Sequence, residues 1–89
     1  EVVKNISGSA FILRDTDQFS ISYYAVDQSF LITINASNFD TAREKSEKEF
    51  LQTLDIEEDD ACKLSVRIAT PYSVNPNLAG REFPLSFCE

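Results

Sequence analysis

Apolar residues recur in this chain first at every second position and then at every third or fourth, and the change of period divides it into elements. In FSISYY, residues 19–24, Phe19, Ile21 and Tyr23 alternate with Ser20, Ser22 and Tyr24. In SFLITIN, residues 29–35, Phe30, Ile32 and Ile34 fall on one side and Leu31 and Thr33 on the other. Successive side chains of a strand point to opposite faces, so these β-branched and aromatic runs predict an antiparallel hairpin, turning around Asp27 and Gln28. AFILR, residues 10–14, predicts a further strand, with DTDQ as its turn and Asp15 and Asp17 supplying Asx hydrogen bonds.

From Phe39 the period becomes helical. Phe39, Ala42, Ser46, Phe50, Thr53 and Leu54 gather within about a third of the circumference at about 100° per residue. Arg43, Glu44, Glu47 and Lys48 are expected on the outer face, with Glu44 and Lys48 in the favourable i,i+4 order. Ser37 and Asp40 read as an acidic capping box at the helix start. After this helix, DIEEDDACK predicts a turn and a short helical segment, and KLSVRIA, residues 63–69, another half-buried strand. TPYSVNPNLAG is a loop by its prolines, asparagines and glycine. FPLSF places Phe83, Leu85 and Phe87 on one side of a terminal edge strand, where Pro84 costs no central ladder bond.

The expectation is one α+β domain over residues 11–89: an antiparallel sheet of three to four strands with one amphipathic helix packed on one face. Residues 1–10, EVVKNISGSA, read as a linker stub or disordered tail.

Charge narrows the function. The 89 residues carry 15 acidic against 8 basic side chains, a net −7. That field repels phosphate backbones and anionic lipid, so nucleic-acid binding through a basic face is not expected. An apolar fraction of 43% excludes a disordered polymer. No run approaches the roughly 20 apolar residues of a membrane span. The chain has no methionine. A removed N-terminal segment is therefore expected, either a signal peptide or membrane anchor, or a disordered leader or further domain.

The two cysteines change the picture again. Cys62 sits where the acidic turn enters a strand, and Cys88 one residue from the end. A bond between them would close a ring of about 26 residues around the loop and contribute roughly 3 kcal/mol on the chain-entropy model. In a domain that buries only about 60–65% of its unfolded surface, such a staple matters. The competing reading is two buried free thiols. A terminal position is a poor place to bury a thiol unless something ties it down, which favours the disulfide and, with it, an extracytoplasmic location. Two thiols without histidine do not make a zinc site.

The helix with its apolar end, the ACKL strand entry, the TPYSVNP loop and the LSFC ending resemble a family of short exported proteins of small-genome bacteria, over roughly residues 19–88. In that family a membrane anchor and a low-complexity linker precede one small domain, and no activity is assigned to it. Its members often carry Gly after the helix where this chain has Asp55. The resemblance implies an exported, anchored domain and implies no catalytic residue.

Catalysis is not expected. There is no histidine for general acid–base work, and the carboxylates of DTD and DIEEDD read as turn and solvated rim. Glu57, Asp59 and Asp60 are weak calcium candidates, lacking the spacing and glycine of an EF-hand loop. No cofactor is expected. Asn5 and Asn35 match glycosylation sequons; Asn35 also flanks the helix start. The expected function is an exported, membrane-anchored binding or assembly module with an unidentified protein partner. Its contact would be the loop of Pro71, Tyr72, Val74, Asn75 and Pro76, with the aromatic on a Pro-flanked turn as anchor. Tyr72 packed back on the sheet is the competing reading. The alternatives are a pilin-like subunit and a small cystatin-like inhibitor; the latter resembles this arrangement in its helix on a sheet but differs in element order and in its Gln-x-Val-x-Gly hairpin.

Overall fold

The computed structural model describes residues 4–7 and 10–88. Strands β1 (Lys4–Ser7), β2 (Ala10–Asp15), β3 (Phe19–Tyr24) and β4 (Ser29–Ile34) form an antiparallel meander. Helix α1 (Phe39–Leu54) and a single turn, α2 (Glu58–Ala61), lead into β5 (Ser65–Ala69), which pairs parallel to β4. Sheet order follows chain order, β1 to β5. The fold is α+β, mostly antiparallel, with one main helix packed on the sheet.

Three expectations about the sheet are corrected. It has five strands rather than three to four. Lys4–Ser7 lies within the stretch read as a linker stub, yet Lys4 pairs with Ile12 and Asn5 with Phe11. Residues 1–3, 8 and 9 of that stretch lie outside the described residues. β5 runs parallel to its neighbour because α1, about 24 Å long, carries the chain back along the whole of β4 before the next strand begins.

Cross-strand pairing builds the core row by row. Phe19 faces Ile34, Ile21 faces Ile32, Tyr23 faces Phe30, and β5 adds Ile68 beside Ile32 and Val66 beside Phe30. Ile21, Ile32, Ile34 and Ile68 are fully buried under Phe39, Ala42 and Phe50 of α1. Phe50 meets Phe30 edge-on at 5.2 Å between ring centres. Ser46 is equally buried; its Oγ donates to the Arg43 carbonyl, so a small side chain with a satisfied hydroxyl lets the helix lie close to the sheet.

Turn and cap chemistry differs from the sequence reading in detail. In the β2–β3 turn the side chain at work is Thr16, not Asp15 or Asp17: its Oγ1 accepts from the Gln18 and Phe19 amides. The helix begins after Asn38 with no side-chain cap bond, so the Ser37 capping box does not form. It ends at Asp55, which takes the left-handed cap conformation at φ 56° where the resembling family often has Gly. The Asp55 amide bonds to the Gln52 carbonyl and the Ile56 amide to the Leu51 carbonyl, a Schellman closure with Leu51 and Ile56 both against the core.

The terminal segment gives the largest correction. Phe83 makes one antiparallel bridge to Ile68, and Ser86–Cys88 then curls into a 3₁₀ turn, so the expected edge strand is a single bridge. The segment lies along α1 on the side expected to face solvent. Glu47 is consequently buried, at 4% exposure. Its carboxylate accepts the Ser86 amide at 2.7 Å and the Ser86 hydroxyl at 2.6 Å. Arg43 donates to the Pro84 carbonyl, sits 5.5 Å over the Phe83 ring, and approaches Glu47 at 3.4 Å without hydrogen-bond alignment. Glu47→Ala leaves the Ser86 donors and the Arg43 charge without a partner. We expect a loss of about 1–3 kcal/mol, read from the urea midpoint; a loss below about 0.5 kcal/mol, the ordinary surface value, would mean the segment is not clasped there.

Candidate functional site

The loop after β5 is the candidate contact, and it is built from two successive turns. The Pro71 carbonyl accepts from the Val74 and Asn75 amides, and the Asn75 carbonyl from the Leu78 and Ala79 amides. Pro76 stands second in the later turn, where its fixed φ is pre-set. Gly80, at φ +82°, then redirects the chain toward Phe83.

What holds the loop is a clasp onto the end of β4. Buried Thr70 donates its hydroxyl to the Ile34 carbonyl at 2.7 Å. The Asn75 side-chain amide donates to the Ala36 carbonyl and to Thr70 Oγ1, each at 2.9 Å. The carbonyls of Ile34 and Ala36, at the end of β4, each accept a side-chain donor, and the loop is fixed to the sheet. Leu78 closes it from beneath, packing on the core.

The five residues proposed from sequence therefore separate by role. Tyr72 is 74% exposed and does not pack back on the sheet. Pro76 is exposed too, and Pro71 and Val74 are half-buried. Asn75 spends its side chain inward, as the fastener. Thr70 was missed: a threonine before a proline carries no signal that its hydroxyl will reach a carbonyl 36 positions earlier. Between the loop and the start of α1 lies an open depression of about 560 Å³, lined among others by Asn38, Phe39, Thr41, Asn75 and Leu78.

Cys62 and Cys88 are joined in a disulfide, with Cα atoms 5.4 Å apart. The bond ties α2 to the terminal 3₁₀ turn and closes the ring that contains the loop. Such bonds persist in oxidising compartments, which fits an extracytoplasmic setting. No helix among the described residues is long and apolar enough to cross a membrane. Glu57, Asp59 and Asp60 are exposed, and among the described residues no group of three or more acidic or thiol side chains is arranged to hold a metal ion. Comparison with protein-family models, curated proteins and solved structures returns no match.

Proposed function

We propose that this chain is an exported binding module that presents Tyr72 and Pro76 to a protein partner, without catalysis, and that a segment preceding it attaches it to a membrane. The observation that carries the reading is the pairing of an exposed tyrosine with a fastened backbone. A loop held by Thr70, Asn75 and the disulfide loses little freedom when bound, and a large amphipathic ring on it desolvates at low entropic cost. The depression lined by Asn75 and Leu78 of the same loop gives a partner a concave surface to fill. The attached, exported part of the reading is supported by the disulfide and by the resemblance of the ACKL, TPYSVNP and LSFC stretches.

A photo-crosslinking residue placed at Tyr72 in the producing cells should give one discrete adduct, absent when the same residue replaces exposed Glu44. No adduct, or the same adducts from both positions, would sink the reading. Tyr72→Ala should abolish the adduct partner's capture while changing stability by less than about 0.5 kcal/mol. Asn75→Ala, which unfastens the loop, should cost about 1–2 kcal/mol and weaken capture with Tyr72 still present.

A further inference from the structure

The end of the domain opposite the Tyr72 loop carries a second concave surface. Tyr72 follows the C-terminal end of β5, whereas this groove lies where β4 and β5 begin and α1 ends. It has a volume of about 410 Å³ and is lined by Leu13, Tyr23, Gln28, Phe30, Leu54 and Leu64. Five of the six are apolar or aromatic. Tyr23 and Phe30, cross-strand partners with ring centres 4.9 Å apart, form its floor. Leu54 is the last residue of α1, Leu64 stands just before β5, and Leu64 is 40% exposed.

The chain between those two leucines is the acidic segment. Asp55, Glu57, Glu58, Asp59 and Asp60 lie between them, all exposed, with Lys63 the one base. Among the described residues none of the five carboxylates forms an ion pair. The segment starts at one wall of the groove and ends at another, so its charge lies within one short connection of the apolar surface, and no carboxylate is among the lining residues. We infer that this groove docks a basic segment of a partner protein, one that inserts one or two large apolar side chains while flanking lysines or arginines face the carboxylates. The apolar lining asks for an apolar anchor; the unpaired rim asks for cations and repels anionic lipid and acidic peptides. This surface is separate from the Tyr72 loop, and each can fail without the other.

The test is a titration of isotopically labelled protein with the capped peptide Lys-Lys-Leu-Phe-Lys-Lys, followed by NMR. Saturable shifts are expected at Leu13, Leu54 and Leu64, weakened roughly tenfold by Leu64→Arg and by raising the salt to about 0.5 M. Unchanged signals from Ile21, Ile32 and Ile68 would certify that the variant folds. Glu58→Lys with Asp59→Lys, which touches no groove side chain, should weaken binding similarly, and Tyr72→Ala should leave it unaltered. The proposal is overturned if Lys-Lys-Ser-Ser-Lys-Lys binds as tightly, which would reduce the site to bare charge. It is equally overturned if Glu-Glu-Leu-Phe-Glu-Glu binds as tightly, if the shifts fall elsewhere, or if the groove is occluded by self-association at working concentration.

Discussion

Replacing Phe50 with alanine is expected to cost about 3–5 kcal/mol, most of the stability of a domain of this size. The ring is fully buried, sits at the centre of the helix face and meets Phe30 edge-on across the sheet. Its removal leaves a void between α1 and strands β3 and β4, the elements that hold the rest of the core. Thermal or urea unfolding followed by circular dichroism should show the midpoint falling steeply or the transition vanishing. A change as small as that of a surface substitution would mean that α1 is not docked through this residue, and the one-helix-on-sheet arrangement would go with it.

The second large effect belongs to the Cys62–Cys88 bond. Reduction, or the double change Cys62→Ser with Cys88→Ser, should lower stability by roughly 3 kcal/mol by freeing a ring of 26 residues in the unfolded chain. Urea midpoints with and without dithiothreitol read this directly, and a thiol titration of denatured, unreduced protein should find no free thiol. Two thiols in that titration, or identical midpoints, would remove both the staple and the argument for an oxidising compartment. The loss should be felt first at Pro84–Cys88, where Leu85, the Arg43 bond to the Pro84 carbonyl and the Glu47–Ser86 clasp would remain as ties.

What the sequence disclosed and what it withheld divide along a physical line. The helix was legible to both ends, Phe39 and Leu54, because a period of 3.6 over sixteen positions has no strand equivalent. The β3–β4 hairpin was legible from strict alternation, and the cysteine pairing from position. β1 was not, because Lys4–Ser7 carries a single apolar residue and earns its place by backbone pairing with β2. Glu47 was placed on the outer face by helical geometry, and that geometry holds. What changed its environment was a segment almost forty residues away, folded over the helix by the Phe83 bridge and the disulfide. In the loop, prolines and asparagines marked a turn and left the exposure of Tyr72 open, and the role of Asn75 as fastener depended on the Ala36 carbonyl and the Thr70 hydroxyl, beyond any local signal.

The sheet's neighbour-to-neighbour order has a kinetic consequence. From β1 through β4 each pairing joins segments adjacent in the chain, so loop-closure entropy is small and the meander can zip locally. β5 can pair only after α1 has returned across the sheet, and both cysteines lie in the part of the chain that docks late. In chain order, the meander and α1 can therefore organise before the segment that carries Cys88 docks. Closure of the Cys62–Cys88 ring is then the last event of assembly, locking β5 and the terminal turn onto a meander that has already formed.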